Sequence, residues 1–453
     1  MSLPPGPRQP TFVSTWHWIR RPFPFLEECR ERFGSAFTFR LPGLPPFVVF
    51  SDPADVKEVF TDNGDRLFAG QFNQSLRAFL GERSVLMLDG KEHLRHRRLL
   101  LPPFHGERMA AYGQVMIDAA HAAVERWPLQ QPFSIHGSMQ AITLQVILRA
   151  VFGMDEGPRL AELSRLLTEL LEIATWPPLL IPALQRDLGP WSPWGRFVRI
   201  SAQADRLLLE QIRRRRAEDR KGRVDILSLL LDARDEDGQP MTDEELRDEL
   251  VTLLIAGHET TATALAWSFR WIFGTPGVEA RLRDEIEGAG LVPERIAKLE
   301  YLDAVSREAL RLYPVIPLVG RVLTEPARIG GWDLPAGVCV VCSIYLAQRR
   351  PEAYPEPARF NPDRFLGTKA TPYEFFPFGG GVRRCIGMAF ALYEMKMVLA
   401  TVLSRAALRL ADDRAIGPVR RSITLTPSDG LRVVLTRRDP RPGPAAAARV
   451  SAA

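Results

Sequence analysis

A glycine-rich segment around one cysteine constrains this chain more than any other part of its sequence. Residues 375–394 read F-F-P-F-G-G-G-V-R-R-C-I-G-M-A-F-A-L-Y-E. Proline and glycine interrupt regular structure before Cys385, and the apolar run from Met388 predicts a helix. Backbone N–H groups at a helix N-terminus favour negative charge, so we expect a Cys385 thiolate that acts as a metal ligand or a nucleophile. The alternative, a small buried residue in a turn, is disfavoured by the neighbouring glycines and arginines.

Composition places the chain among ordinary globular proteins. Its 453 residues are 46% hydrophobic and 25% charged, which allows one large domain. The net charge of +5 suits an acidic partner, but no basic motif with interleaved aromatic residues indicates nucleic-acid binding. The four cysteines form no disulfide framework, so we expect a reducing cytoplasm. Cys339 and Cys342 form a C-x-x-C in an apolar, β-branched run, which predicts a core strand rather than a zinc or redox site.

The domain organisation is predicted to be simple. We expect an extended leader at residues 1–10, one domain over 11–437, and a disordered tail rich in proline and alanine over 438–453. Residues 1–10 show neither a signal peptide nor an anchor. The weakly charged stretch 250–269 is predicted to be a buried helix rather than a membrane span, because His258 and Glu259 lie in its middle.

The fold class is predicted to be mainly α with minor β-structure near both ends. A hairpin is expected within 36–50, helices over 53–278, and short strands after residue 320. Residues 68–90 and 176–194 are predicted loops. The second loop is interpreted as a mobile lid, with a membrane-surface patch or a packed corner as open alternatives. The arginine run 213–216 is predicted to lie on a solvated helix face.

A long helix is predicted to begin at a capping box of Thr242 and Glu245 and to reach Phe273, a span of roughly 48 Å. Its middle reads A-G-H-E-T-T. Gly257 costs about 1 kcal/mol relative to alanine, and Thr260 can bond back to a carbonyl one turn earlier. These residues predict a widened turn at a functional site. A close helix crossing through small residues is the alternative.

Glu308 and Arg311 are spaced i, i+3 on a helix predicted over 299–313. On a surface such a pair contributes only about 0.2–0.5 kcal/mol. The apolar neighbours predict partial burial, where the pair needs a third partner such as Arg359 or Arg364.

His93 and Arg97 are four residues apart on another predicted helix and share a face suited to an acidic group. A solvated basic surface is the alternative. The chain contains no G-x-S-x-G elbow, no phosphate-binding loop and no dinucleotide fingerprint. A redox reaction would therefore take its electrons from another protein.

Together these motifs resemble the cytochrome P-450 family of haem-thiolate monooxygenases, from about residue 5 to residue 436. The resemblance implies the fold of that family, a triangular-prism helical domain with a small β-rich region. The family's cysteine-loop pattern F-x-x-G-x-R-x-C-x-G is matched by Phe378, Gly381, Arg383, Cys385 and Gly387, and its helix pattern [AG]-G-x-[DE]-T by Ala256, Gly257, Glu259 and Thr260. The family's E-x-x-R pair is matched by Glu308 and Arg311. Its P-E-R-F element is matched by Pro362, Asp363, Arg364 and Phe365, with Asp in place of Glu.

The resemblance implies haem b, with Cys385 as the axial thiolate ligand of its iron. The glycines at 379–381 would let the loop approach the macrocycle, and Glu308, Arg311 and Arg364 would form a structural triad. The other expected haem-binding residues are His93, Arg97, Arg321, Phe378, Arg383 and Gly387. The four basic ones, His93, Arg97, Arg321 and Arg383, would bind the propionates.

The resemblance also implies how oxygen and substrate are handled. Gly257 would leave room for dioxygen, and Thr260 and Glu259 would deliver protons during its activation. A hydrophobic substrate such as a terpenoid, steroid or fatty acid would then be hydroxylated. The residues expected to line the substrate pocket are Phe68, Leu88, Thr252, Ala256, Ile316, Val319 and Ile423.

A separate ferredoxin or flavodoxin with its own reductase is the implied electron donor, and a cytoplasmic enzyme is expected. We expect the donor to dock on a basic proximal face that includes Lys91, Arg95, Arg98 and Arg384. Two alternatives are a haem-thiolate peroxygenase or isomerase and a non-enzymatic haem sensor or carrier. The acid–alcohol pair at Glu259 and Thr260 argues against both.

Overall fold

A computed structural model describes residues 2–62, 65–104, 109–154, 157–174, 185–368 and 370–439. Residues 176–184 of the predicted lid and nearly all of the predicted tail lie outside this part of the chain. Helices dominate, as the sequence predicted. They are α1 Thr11–Arg20, α2 Pro22–Phe33, α3 Pro53–Thr61, α4 Ala69–Phe72, α5 Arg77–Leu80, α6 Gly90–Leu100, α7 Ala110–Arg126, α8 Ile135–Ala150, α9 Pro158–Ala174, α10 Pro193–Ala217, α11 Ile226–Asp232, α12 Asp243–Gly274, α13 Val278–Ala289, α14 Pro293–Ile296, α15 Glu300–Leu312, α16 Ile344–Ala347 and α17 Met388–Arg405.

Short strands form small sheets beside the helical body. They are β1 Ala36–Phe39, β2 Phe47–Phe50, β3 Leu67–Phe68, β4 Pro132–Ser134, β5 Leu318–Leu323, β6 Ala327–Ile329, β7 Trp332–Leu334, β8 Cys339–Ser343, β9 Ala406–Leu410, β10 Pro418–Arg421, β11 Thr424–Pro427 and β12 Arg432–Arg438. A five-stranded sheet has the order β1-β2-β8-β5-β3, and a three-stranded sheet has the order β4-β12-β9. The pairs β6–β7 and β10–β11 stand alone as two-stranded sheets.

The C-x-x-C lies in a core strand, so this prediction is confirmed. Strand β8 is buried at every position and pairs in parallel with β2, where Cys339 lies opposite Phe47. Burial raises the pKa of the Cys339 thiol to about 11. Burial also raises the pKa of the Cys342 thiol to about 12, because its effect exceeds the opposing effect of the nearby Arg321. Both thiols therefore stay protonated at neutral pH and pack as apolar groups.

The long helix α12 is the axis of the helical body. Its predicted capping box is present, with Thr242 Oγ1 accepting from the Glu245 N–H at 3.2 Å and Glu245 Oε2 accepting from the Thr242 N–H at 2.8 Å. The helix packs along α8 and also against α15, α17 and β11. Across the residues that the structure describes, none of the helices is both long enough and apolar enough to cross a lipid bilayer.

Several local predictions are wrong. The long helix remains α-helical through Gly257, so the predicted widened turn does not appear as a change of helix type. The predicted loop 68–90 contains the short helices α4 and α5. Arg215, placed on a solvated face, is 3% exposed because Asp225 Oδ2 accepts from its Nη1 at 2.6 Å. Arg438, assigned to the tail, belongs to β12 and pairs with Ala406 of β9.

Candidate active site

The cysteine loop is held by its own backbone. The Cys385 N–H donates to Phe378 O at 2.9 Å, and the Arg384 N–H donates to Gly381 O at 3.1 Å. These bonds fold residues 378–385 into a tight reversal that ends where α17 begins at Met388. Cys385 is exposed, although the helix that follows it is largely buried.

The glycines of this loop are required by packing. A Cβ at Gly380 would lie 2.1 Å from the Phe60 ring, and a Cβ at Gly381 would lie 2.2 Å from Phe60 O. Gly379 and Gly381 also have positive φ angles of 66° and 64°. Gly380 and Gly381 therefore allow the loop to pack closely against Phe60, the second-last residue of α3. This contact accounts for both glycines without the expected approach to a macrocycle.

The electrostatic setting of Cys385 differs from the expectation. Protein surrounds the accessible thiol on most sides, and this burial raises its pKa above the ordinary value. The Gly387 N–H and the positive charges of Arg97 and Arg384 lower the pKa, but by less. The expectation that the local surroundings favour the thiolate is therefore wrong, and a bound metal ion would have to displace the proton.

Four basic side chains that the sequence analysis assigned to haem propionates converge beside this loop. His93 is 3% exposed and Arg321 is 5% exposed. Burial, followed by the positive charges of Arg383, Arg97 and Arg321, lowers the pKa of His93 to about 3. His93 is therefore a neutral imidazole among three guanidinium groups.

Arg383 is anchored to the loop that precedes α6. It donates to Val85 O at 3.1 Å and also to Leu88 O and Asp89 Oδ1. Burial lowers the pKa of Arg383 to about 10. The positive charges of Arg321 and Arg97 also lower this pKa, whereas the negative charge of Asp89 raises it. Asp89 is a site residue that sequence reasoning missed, because only the folded chain brings it to the cysteine loop.

The cluster fits a dianionic group. Three arginines share a partly buried space, in which the Asp89 carboxylate ion-pairs with Arg383. The side chain of Arg97 has no hydrogen-bond acceptor in the described part of the chain, and burial lowers its pKa. Two propionate groups would offset this excess positive charge, and haem would place them beside Cys385.

The middle of α12 has an open face. Ala256 is exposed, and Gly257 and Thr260 are partly exposed, although most residues around them are buried. The Thr260 hydroxyl donates to Ala256 O within the helix. A Cβ at Gly257 would lie 3.0 Å from Ile147 Cδ1 of α8. The alternative reading of Gly257, a close helix crossing, therefore has direct support.

Glu259 turns toward α8. Its Oε2 accepts from Gln140 Nε2 at 2.6 Å, and its Oε1 lies 3.5 Å from His136 Nε2. Burial acts to raise the pKa of Glu259, but His136 and Gln140 lower it more, so that the pKa falls below its ordinary value. Glu259 is therefore an ionised carboxylate 7% exposed.

The E-x-x-R pair is buried and fully bonded. Glu308 and Arg311 are both 0% exposed, and Arg311 donates to both carboxylate oxygens of Glu308 at 2.7 and 2.8 Å. Arg364 Nε donates to Glu308 Oε1 at 3.1 Å, whereas Arg359 pairs with the exposed Glu356. The structure thus brings together the three residues of the expected triad.

Gln348 extends this network to the cysteine loop and was missed in the sequence. Its Nε2 donates to the carbonyls of Leu310 and Arg311 at 3.1 Å, and its Oε1 accepts from the Phe376 N–H at 3.2 Å. A lone glutamine directly after the short helix α16 carries no sequence signal for such a role.

The expected pocket residues fall into different settings. Thr252 is wrong as a pocket residue, because it is 3% exposed and its hydroxyl oxygen lies within hydrogen-bond distance, 2.7 Å, of both Ser84 Oγ and Asp248 O. Ile423 is 39% exposed. The remaining members keep partial or full exposure, and they are Phe68, Leu88, Ala256, Ile316 and Val319.

The basic proximal face is only partly free. Arg95 pairs with Asp235 at 2.6 Å and Glu245 at 2.9 Å, and Arg98 pairs with Glu236 at 2.5 Å. Neither Lys91 nor Arg384 has a carboxylate partner among the residues with described positions, and both are exposed. The expectation of four free cations is therefore wrong for Arg95 and Arg98.

Comparisons with known proteins agree with this geometry. A family model described as Cytochrome P450 matches residues 4–433. The protein named cytochrome P450 135B1 of Mycobacterium tuberculosis is 40% identical over 436 residues, which cover 96% of this chain and 91% of that protein. The protein named cytochrome P450 137 of the same species is 37% identical over 404 residues, which cover 89% of this chain and 83% of that protein.

Two solved structures share the fold. The structure of a retinoic acid-bound cyanobacterial CYP120A1 has a TM-score of 0.84 and 26% identity, covering 97% of this chain and 100% of that one. The haem domain of cytochrome P450DA has a TM-score of 0.83 and 25% identity, covering 97% of this chain and 98% of that one.

Proposed function

The chain belongs to the cytochrome P450 family, and from this premise we propose that it hydroxylates a hydrophobic organic substrate with electrons from a separate carrier protein. Members of this family are oxidoreductases of the monooxygenase type, and their cofactor is haem b with a cysteine as the axial ligand. When bound, haem supplies the activation of dioxygen and one-electron chemistry at iron.

The basic cluster beside Cys385 carries the proposal. His93, Arg97, Arg321 and Arg383 would hold the propionates, and Cys385 would ligate the iron. Neutral His93 would donate one hydrogen bond, while the arginines would supply the opposing charge. Ion pairing with a propionate would compete with the Arg383–Asp89 contact, so Asp89 would set how firmly Arg383 engages the haem.

Thr260 and Glu259 would move protons on the α12 side. The Thr260 hydroxyl is held by Ala256 O next to the partly exposed Gly257, where it can accept a proton from water and pass one on. Glu259 is ionised and lies on the α8 side, so it has to rotate or act through water to supply Thr260. Glu308, Arg311, Arg364 and the cysteine loop would keep the ligand in place.

The substrate class is inferred from the partly exposed apolar side chains expected at the pocket. Phe68, Leu88, Ile316, Val319 and Ile423 offer no charge to a ligand, which favours terpenoids, steroids or fatty acids. One relative of similar fold carries retinoic acid, an apolar chain with a carboxylate, which supports this class.

Spectroscopy of the purified holoprotein tests the haem site and the substrate class. The carbon-monoxide complex of reduced protein should absorb as a thiolate-ligated haem, and Cys385→Ser should lose that signature. Terpenes, steroids and fatty acids are then added in turn, and the Soret band should shift with at least one of them. A thiolate signature that persists in Cys385→Ser would refute the ligand assignment. No shift with any of the three classes would refute the substrate assignment.

A Thr260→Ala variant tests proton delivery. Electron consumption should continue while product per electron falls, because protons then reach the reduced oxygen less selectively and peroxide is released. The measurement compares product, peroxide and electron donor consumed. Unchanged coupling with the bound substrate would show that Thr260 has no such role.

A further inference from the structure

A buried polar cluster joins α8 to Glu259. Gln140 donates a hydrogen bond to Oε2 of Glu259. The other carboxylate oxygen, Oε1, lies at a distance of 3.5 Å from His136 Nε2, which is long for a hydrogen bond. His136 Nε2 also lies 3.3 Å from Thr263 Oγ1. His136 is 2% exposed, so this imidazole faces Glu259 inside the protein.

Two atoms of the cluster lack a hydrogen-bond partner within the described ranges of the chain. They are Glu259 Oε1 and His258 Nδ1, both fully buried. A buried carboxylate oxygen without a donor is costly, and a small approach of His136 Nε2–H would satisfy it. The orphaned oxygen and the imidazole therefore point to an intermittent hydrogen bond between His136 and Glu259.

His136 also lies next to the protein surface. It is the second residue of α8, and its neighbours Ser134 and Gly137 are exposed. Proton exchange with solvent therefore needs only a local opening of the first turn of α8. The Glu259 carboxylate, by contrast, is held by Gln140 on the α8 side of α12, away from the open face at Ala256.

The other charged groups around Glu259 do not fill this role. His258 of α12 holds Gln140 O through Nε2 at 3.0 Å, and burial lowers its pKa to about 4, so it remains neutral at pH 7. Arg421 of β10 acts electrostatically to lower the pKa of Glu259 but does not release its proton. Histidine is the side chain whose ordinary titration range lies nearest to neutral pH.

We propose that His136 is a positioning residue for the oxygen reaction, which holds Glu259 together with Gln140 and supplies it with protons from solvent. In each transfer the Nε2–H bond of protonated His136 breaks and an O–H bond forms on Glu259 Oε1; a hydronium ion of the solvent then returns a proton to the imidazole and leaves water. The neutral Glu259 then rotates toward the open face of α12 at Gly257 and Thr260. This inference rests on the proposed role of Glu259 and Thr260 in proton delivery.

Infrared titration of the holoprotein tests the contact independently of turnover. The carboxyl band of Glu259 is identified by its loss in Glu259→Gln. In His136→Gln the band should titrate at higher pH than in the unmodified protein, because the histidine that favours the carboxylate is gone. His121→Gln removes another buried histidine, bonded to Arg405, and should leave the band unchanged.

Turnover provides the second measurement. With the carbon-monoxide and Soret spectra unchanged, His136→Gln should lower product formation roughly tenfold to a hundredfold and raise the solvent deuterium isotope effect. It should also displace the pH profile, as expected when the proton supply changes. A variant that is merely less stable would move neither the isotope effect nor the profile.

The outcomes separate this inference from the proposed function. If Thr260→Ala uncouples the reaction while His136→Gln changes neither the Glu259 band nor the isotope effect, only the relay is overturned. If Thr260→Ala stays coupled, the proposed role of Thr260 in proton delivery fails and the relay fails with it, whereas the proposed hydroxylation still stands on the spectroscopic tests. Should His136→Gln not fold, Gln140→Leu removes the bond to Oε2, and an unchanged Glu259 band in that variant overturns the shared positioning.

Discussion

Glu308 shows why a buried charge in this fold needs every one of its partners. Its Oε1 accepts from Arg311 Nη2, from Arg364 Nε and from the Asn361 N–H, while Oε2 accepts from Arg311 Nε. Arg311 in turn donates to the carbonyls of Gln348 and Pro357. Glu308 and Arg311 are both 0% exposed, so the loss of one charge leaves the other uncompensated.

A Glu308→Gln variant should lose about 3–5 kcal/mol of stability, because the fully buried Arg311 keeps its charge without a carboxylate. The expected readout is a lower free energy of unfolding together with faster loss of haem from the holoprotein. Glu356→Gln is the matched control, since it removes the exposed acid that pairs with Arg359 and should cost about 0–1 kcal/mol. Similar losses in both variants would contradict the buried-network account.

At the residue scale, the sequence predicted which residues belong to the site better than it predicted their contacts and burial. The apolar neighbours of Glu308 and Arg311 predicted a partly buried pair with a third partner; the contact with Arg364 confirms the partner, and the burial is complete. The partners Asp89 and Gln348 were not predicted, because their contacts with the Arg383 side chain and the Phe376 N–H join positions that lie far apart in the chain. The raised pKa of Cys385 was also missed, since burial depends on tertiary packing that a motif does not encode.

At the element scale, the segment 83–89, here termed the strap, links α12 to the cysteine loop. From α12, Asp248 accepts from the Arg83 N–H at 2.9 Å and Glu249 accepts from the Val85 N–H at 2.8 Å. From the cysteine loop, Arg383 donates to the Val85 carbonyl at 3.1 Å. The strap therefore joins α12 to a side chain that we assign to the haem propionates.

Glu249 makes the stability of this link depend on pH. Burial raises its pKa to about 7, against the opposing effect of His96 at 2.7 Å. The native state therefore binds more protons than the unfolded chain between the ordinary value of 4.5 and about 7. In that window the contribution of Glu249 to stability falls as the pH rises, by up to roughly 3 kcal/mol in total.

A Glu249→Gln variant should flatten this dependence. Its free energy of unfolding, measured by denaturant titration from pH 4.5 to 8, should change less with pH than that of the unmodified protein. Glu244→Gln, an exposed neighbour on the same helix, should retain the original slope. An equal slope in the Glu249 and Glu244 variants would show that Glu249 is not the group responsible.

Long, periodic elements were the predictable ones. The capping box and the breakers at Gly274 and Pro276 define α12 in the sequence, and both of its ends were predicted within a residue or two. Short strands were predicted after residue 320, but β7, β9 and β10 were not located individually. Their pairing depends on long-range register, as when β12 joins β4 to β9, and no local pattern encodes it.

At the scale of the whole molecule, the fold class followed from the family resemblance, and its mainly helical character with minor strands agrees with the pattern of the sequence. The charge distribution did not follow. Counting arginines predicted a basic face, but the chain places acids from the loop before α12 against two of them. Which cations stay available to a partner is decided by these tertiary ion pairs.

Electron transfer should therefore depend more on Arg384 than on Arg98. Arg384 is exposed next to Cys385, and its guanidinium contacts Met388 Sδ at 3.0 Å rather than a carboxylate. Arg98 is already paired with Glu236. An acidic ferredoxin or flavodoxin would meet the free charge at Arg384 and the exposed Lys91 without first breaking an ion pair.

Stopped-flow reduction by such a carrier at low salt tests this difference. Arg384→Gln should slow reduction about tenfold and weaken its dependence on ionic strength, whereas Arg98→Gln should have a smaller effect. Reduction by dithionite, which needs no docked protein, should stay unchanged in both variants and shows whether the haem site is intact. If Arg98→Gln slows reduction by the carrier as much as Arg384→Gln does, or if neither variant slows it, the donor docks elsewhere. A donor that contacts the cysteine loop would be affected most by the loss of the exposed Arg384 charge beside it.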